Sequence, residues 1–188
     1  LKVLRKAGLT AQTSLVLLRT FVNGAVNHLQ RGSHTPEAWC LALDEAVLDF
    51  LANLLDVKFD DSQRLQTFLP LKLGGLGFKS ACARRHAAYL ASWQQCLPEV
   101  AASVGATSAA GFLAQAPLTA ASLEAAERGL RGQVGVSFRA VAWERCFANA
   151  PKQTQKEYTK LVHEAAHTAL LQSLPEVDQA ELRSAGGV

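Results

Sequence analysis

Leu69-Pro-Leu-Lys-Leu-Gly-Gly-Leu-Gly-Phe78, followed directly by Lys79-Ser-Ala-Cys-Ala-Arg-Arg-His-Ala-Ala-Tyr-Leu-Ala-Ser-Trp93, is the stretch around which the chain is organised. Pro70 and the glycines Gly74, Gly75 and Gly77 disfavour a helix and predict a tight, irregular connector. Lys79 to Gln95 holds neither Gly nor Pro and predicts a helix. Its apolar line is Cys82, His86, Leu90, Trp93 and Leu97, Arg84 and Arg85 begin a basic shoulder, and Pro98 closes it. A glycine turn leading into a basic helix has two readings. Either the backbone passes close beneath a neighbouring element, or its N–H groups and the arginines face phosphates. Gly-Gly-x-Gly lacks the spacing and the Lys-Ser/Thr of a P-loop, which favours the first.

The 188 residues fit one domain or two small helical subdomains. Ala and Leu dominate a chain that is 49% hydrophobic and only 7% aromatic, which predicts an all-α fold. We expect an irregular helical bundle over residues 1–97, interrupted by the glycine connector. A smaller helical region follows over 98–188, with a soft boundary from Pro98 to Leu118. No run approaches the length of a membrane span and Leu1 to Leu9 lacks a signal-peptide layout, so we expect no membrane partner and an intracellular setting, nuclear or cytoplasmic. Methionine is absent, as expected for an internal piece of a longer protein. Cys40, Cys82, Cys96 and Cys146 form no C-x-x-C pair, which excludes a zinc finger and suits core thiols in a reducing compartment. The net charge is +3; residues 1–97 carry eleven Lys/Arg against seven Asp/Glu, so contact with a polyanion is expected from that half.

Along the chain, a basic lead-in ends at Gly8, and Thr10 caps a helix reaching Arg31. Its stripe is Leu15, Leu18, Val22, Ala25 and Leu29, with Arg19, Asn23 and Gln30 opposite; Gly24 in mid-helix is expected to admit a packing neighbour. Thr35 and Pro36 restart a helix to Leu55 that buries Trp39, Leu43, Val47, Phe50, Leu51 and Leu54 and leaves Asp44, Glu45 and Asp49 as a solvated acidic face. Asp56 to Ser62 reads as an acidic loop before a short helix over 63–68. Glu99 to Ala121 reads as short helices and loops, and Thr119 or Ser122 caps a helix to Arg131. Residues 133–149 are amphipathic, Pro151 opens a long helix to Leu174, and Pro175 opens a last one.

His163-Glu-Ala-Ala-His167 matches H-E-x-x-H on a predicted helix, where both imidazoles share a face and Glu164 is placed as a base. A zinc peptidase also needs a third ligand, and only Glu176, Asp178 and Glu181 follow, closer than the usual arrangement. The structural alternative is a helix with two boundary histidines.

Leu17-Leu-Arg19, Asn27-His-Leu-Gln-Arg31, Leu69 to Phe78 and Ala87-Ala-Tyr-Leu-Ala-Ser-Trp93, in that order and spacing, resemble the region after the catalytic palm of reverse transcriptases of non-LTR retrotransposons. The resemblance covers residues 10–95 most closely; Leu182-Arg-Ser-Ala-Gly-Gly187 resembles the start of a later block. It implies a thumb-like helical region that grips RNA template and RNA/DNA hybrid and works with the rest of the same polypeptide. The Tyr/Phe-x-Asp-Asp motif is not in the chain. Asp60-Asp61 lies after the thumb-like helices, so no catalytic residue and no cofactor is expected here, the Mg ions belonging to the absent palm. Arg19, Arg31, Lys72, Lys79, Arg84 and Arg85 are the candidate phosphate contacts. The alternatives are a helical scaffold or interaction module from a decayed element, and the zinc peptidase.

Overall fold

Thr10 opens the first helix as expected: its hydroxyl accepts the Thr13 N–H at 3.2 Å, satisfying one of the donors a helix start leaves over. The computed structural model describes residues 8–187, apart from the side chain of Asn23. The lead-in before Gly8 and the place expected for Asn23 therefore lie outside the described residues. The elements are α1 (Ala11–Leu17), α2 (Asn23–Gly32), α3 (Glu37–Leu55), α4 (Asp61–Thr67), α5 (Ala81–Ser103), α6 (Ala109–Gln115), α7 (Pro117–Val134), α8 (Trp143–Ala148), α9 (Thr154–Ser173) and α10 (Glu176–Ala185). Among the described residues there is no strand, and the protein is an irregular all-α bundle. None of these helices is long and apolar enough to cross a membrane.

A π-helical turn, Leu18–Val22, joins α1 to α2 and changes which residues face inward. A π turn takes one residue more than an α turn, so everything after it is rotated by about 100°. The expected stripe continued from Val22 to Ala25 and Leu29. Instead Val26 and Gln30 are buried, while Ala25 is exposed and Leu29 is 52% exposed. Gly24 is also corrected: it faces open space, with nothing within 4 Å of where a Cβ would stand, so no packing neighbour requires it.

Helix α3 keeps much of the expected face, with Val47 and Leu51 buried and Leu43 and Phe50 packed beside them, and departs from it at Trp39 and Asp44. It buries Cys40, Asp44, Val47, Leu48 and Leu51, whereas Trp39 is 41% exposed. Pro36, rather than Thr35, stands at its N-cap, without a side-chain cap bond. The decisive correction is Asp44, which is 8% exposed instead of lying on an acidic outer face. Its Oδ1 accepts the Ala81 N–H at 2.6 Å, and its Oδ2 accepts the Cys82 N–H at 3.1 Å and the Ser80 hydroxyl at 2.5 Å. The carboxylate thus stands on the N-terminus of α5, where first-turn donors and the helix dipole favour a negative charge. Around it Cys40, Val26 and Ala81 form one core cluster, and Leu18, Val47, Leu51 and Phe78 form the next.

Two further differences concern helix ends. Residues 57–60 form the expected loop, and Asp60 at its end is the N-cap of α4 in a capping box with Gln63, so the short helix begins two residues ahead of the expected start. Pro98 lies inside α5, and the helix continues to Ser103. Leu97 and Ala101 on either side are fully buried with Phe112, Ala109 and Cys146, and this packing holds the last turn despite the lost backbone bond. Ser108 caps α6 by accepting the Gly111 N–H, α7 begins at Pro117 ahead of the expected Thr119 or Ser122, and residues 133–149 divide into a short 3₁₀ turn (Gly135–Ser137) and α8.

The chain packs as two compact units that are interleaved in sequence. Among the described residues, one comprises 8–28, Pro36–Ala83 and 163–187; the other comprises Leu29–Thr35 and Arg84–Val162.

Two stability effects follow. Gly24→Ala should stabilise the protein by about 0.5–1 kcal/mol, because alanine is the better helix former and meets no neighbour; urea unfolding reads this, and a destabilised variant would contradict the open site. Asp44→Ala should cost on the order of 3 kcal/mol, since it strands buried N–H groups at the start of α5, with Asp44→Asn falling between. A loss below roughly 0.5 kcal/mol, the range of ordinary surface substitutions, would remove Asp44 from that role.

Candidate nucleic-acid interface

The glycine connector is a packed turn. Its N–H groups turn back on its own carbonyls: Gly74 donates to Leu71 at 3.0 Å, Gly75 to Pro70 at 3.1 Å and Gly77 to Leu69 at 2.9 Å. Gly74 and Gly77 have φ of 75° and 73°, which favour glycine. A Cβ on Gly74 would stand 2.6 Å from the Leu182 carbonyl oxygen, and one on Gly75 would stand 2.1 Å from that of Leu69. The end of α10 presses on the same turn, since a Cβ on Gly186 would stand 2.8 Å from the Lys72 carbonyl oxygen. The glycines therefore serve close approach of backbone, and these three N–H groups have acceptors within the turn.

The candidate phosphate contacts are placed unequally. Arg19 donates to the Leu76 carbonyl and sets its guanidinium 5.3 Å from the centre of the Phe78 ring, tying the first helix to the connector. Arg31 forks onto Gln155 Oε1 at 2.8 Å and Gln95 Oε1 at 2.9 Å. Arg84 is only 4% exposed, and Arg85 is half-buried. Lys72 and Lys79 are the two members of the set that stand exposed.

Packing also redistributes the charge. Residues 29–35 and 84–162 carry ten Lys/Arg against five Asp/Glu, whereas the described residues of the other unit carry six against eleven. In the basic unit Arg128, Arg131, Arg139, Arg145, Lys152, Lys156 and Lys160 are all exposed. Two of its acids are committed internally. Glu144 accepts the Ala109 and Ala110 N–H groups at 3.2 and 2.8 Å, and Glu127 accepts the Trp143 indole N–H at 2.9 Å. The excess expected in residues 1–97 therefore belongs to a spatial unit that runs well past that point.

His163 and His167 lie half-buried on α9 with Glu164 exposed. Among the described residues no group of three His, Cys, Asp or Glu side chains is placed to hold a metal, so the pair has no third protein ligand there. Asp60 and Asp61 open a helix, and the hydrogen bonds from the Ser62 hydroxyl and then the Gln63 N–H lower the Asp60 pKa. None of the four cysteines is in a disulfide, and burial pushes the thiols of Cys96 and Cys146 up, away from nucleophilic thiolate.

Sequence reasoning did not anticipate a histidine pair in the basic unit. His34 Nε2 and His86 Nδ1 are 3.4 Å apart, with the Tyr89 ring 5.4 Å from that of His34. Gly129 makes room for it, as a Cβ there would stand 2.2 Å from His86 Nε2. The signal was faint: a glycine inside α7 and a histidine on an apolar face.

Comparison of the chain with models of protein families, with curated proteins and with solved structures finds no match.

Burial, and then the positive charge of Arg85, lowers the His34 pKa below its ordinary 6.5. The unfolded chain thus takes up a proton at higher pH than the folded one, so this contribution is complete above about pH 6.5 and is lost as the pH falls toward the folded value. The melting temperature should drop from pH 7 to pH 5, and His34→Gln should flatten that drop. An unchanged slope in the variant would assign the sensitivity to other groups.

Proposed function

We propose that the chain is a non-catalytic helical part of a retroelement-type RNA-directed DNA polymerase, gripping the phosphate backbone of template and primer. The reading begins from the resemblance of residues 10–95 to the post-palm, thumb-like region of such enzymes. The observation that carries the nucleic-acid part is the charge separation: ten cations against five anions in one unit, seven of the cations exposed. Phosphate contact needs this kind of surface, which attracts a polyanion regardless of sequence. Exposed Lys152 and Lys156 are the proposed contacts in that unit. Arg19 and Arg31, with their internal partners, and buried Arg84 keep the supporting helices in place. Catalysis and its Mg ions would belong to palm residues elsewhere in the polypeptide, inside the cell.

A helical interaction module is the second reading, favoured by Val16 on α1 and Phe21 in the π turn, which stand 56% and 67% exposed. The two part in a salt titration. Fluorescence anisotropy with an RNA/DNA hybrid should show binding that weakens steeply with salt, and Lys152→Ala with Lys156→Ala should lower the log–log slope by about one unit each. No binding at low salt, or binding indifferent to salt, would reject the polymerase reading and leave the interaction module.

A further inference from the structure

Two cysteines that are distant in sequence meet in one core cluster of the first unit. Cys40, in the first turn of α3, is fully buried and packs with Val26 and Ala81. Cys82, the second residue of α5, is half-buried and packs against the same cluster. Neither is in a disulfide.

The Asp44 contact brings them together. Asp44 lies one turn after Cys40 on the buried face of α3. Helical side chains lean toward the helix N-terminus, so its carboxylate reaches back over the turn that holds Cys40. The Ala81 and Cys82 N–H groups donate to that carboxylate at 2.6 and 3.1 Å, which pins the start of α5 above Cys40. A disulfide asks for this kind of approach between two chain segments, with Cα atoms within about 7 Å. Access differs between the two thiols. Cys82 is open to solvent on one side, whereas Cys40 is sealed, so an external reagent meets Cys82 first. In the other unit Cys146 packs in a cluster that does not include Cys96, and burial holds both of those thiols up.

We infer that Cys40 and Cys82 are a reversible redox pair, open as two thiols in reducing surroundings and closed by exchange with a small disulfide such as oxidised glutathione. The Cys82 thiolate attacks one sulfur of the glutathione disulfide, forming a mixed disulfide and releasing one glutathione. Cys40, its proton passed to solvent, then attacks the Cys82 sulfur and expels the second glutathione. Two protein thiols lose two hydrogens between them, and one glutathione disulfide becomes two glutathione thiols, so atoms and electrons balance. The bridge closes residues 41–81, with the glycine connector, into a covalent loop and locks α3 to the start of α5. Closing a long loop removes freedom from the unfolded chain, which makes the bridged form the more stable one. The inference stands on the first unit alone and does not require the polymerase reading.

The test incubates the folded full chain in glutathione buffers of rising oxidised share, caps the remaining thiols with N-ethylmaleimide and maps the products by mass spectrometry. A linked pair of peptides holding Cys40 and Cys82 is expected, with Cys96 and Cys146 capped. The bridged protein should melt roughly 5 °C or more above the dithiol form, and dithiothreitol should reverse both changes. Cys40→Ala should stop at a stable glutathione adduct on Cys82, because the second thiol is missing. Cys82→Ser should leave Cys40 unmodified, since no reagent reaches it. The Cys82 variant alters a half-buried position, so it keeps the test open where Cys40→Ala does not fold. The inference is overturned if oxidised buffer leaves Cys40 and Cys82 capped, or if the bridge maps to another pair. It is overturned equally if the unaltered chain halts at the Cys82 adduct, if Cys82→Ser still loses its Cys40 thiol, or if the bridged form melts below the dithiol form.

Discussion

The Asp44 carboxylate on the first turn of α5 is the constraint on which the first unit depends. A buried anion is tolerated when it is fully hydrogen-bonded, and here both oxygens are occupied by the Ala81 and Cys82 N–H groups and the Ser80 hydroxyl. Because a helix start has both spare donors and a positive dipole end, the arrangement satisfies acid and helix together. It sets where α5 begins, immediately after the glycine connector. It also sets which face of α3 points inward, since Cys40, one turn before Asp44, packs with Ala81. The connector then has little freedom: Phe78 is held in the Leu18, Val47 and Leu51 cluster, and Leu69 is held with Leu170 and Leu182. With both ends fixed, its turn closes through residues that accept φ near 75°, at Gly74 and Gly77, and through a bare Cα, at Gly74 and Gly75.

The sequence made the kinds of element legible more readily than their faces. Thr10, Pro175 and the glycine run announced two helix starts and a connector because their signals are local: a hydroxyl, a fixed φ, a missing Cβ. Faces are a cumulative property, and a single extra residue corrupts them. The π turn at Leu18–Val22 leaves no mark in a hydrophobic pattern, yet it moves the inward positions from Ala25 and Leu29 to Val26 and Gln30. Gln30 shows why pattern reading favoured the wrong register, since a polar side chain that ends up fully buried looks in sequence like a surface residue. Asp44 misled in the same way. Pro98 misled in the opposite sense, because local chemistry marks a helix end that the packing of Leu97 and Ala101 overrides.

The candidate interface was less legible than the fold. Net charge per half-chain is a sum over sequence, whereas the field a polyanion meets is a sum over space. Chain segments 29–35 and 84–162 fold into one unit, and this regrouping brings Arg31, Arg84 and Arg85 together with seven exposed cations from residues 128–160. Burial then sorts the cations. An arginine with a carbonyl, amide or ring to meet, as at Arg19 and Arg31, supports structure, and one left at the surface is available to a ligand.

Acidic residues complete the sorting. Glu144 stands on the start of α6, and Glu127 takes the Trp143 indole and the Val141 N–H. Each acid is set against backbone or side-chain donors inside its own unit. A carboxylate whose charge is answered by a helix dipole and N–H groups projects less field into solvent than a free one. The basic unit is thus left with seven exposed cations against Glu99, Glu124 and Glu157. Asp44 follows the same rule in the other unit, as a cap for α5. Acids placed as caps and cations left exposed form one pattern: the same side chains that define the helix starts leave the positive charge facing outward.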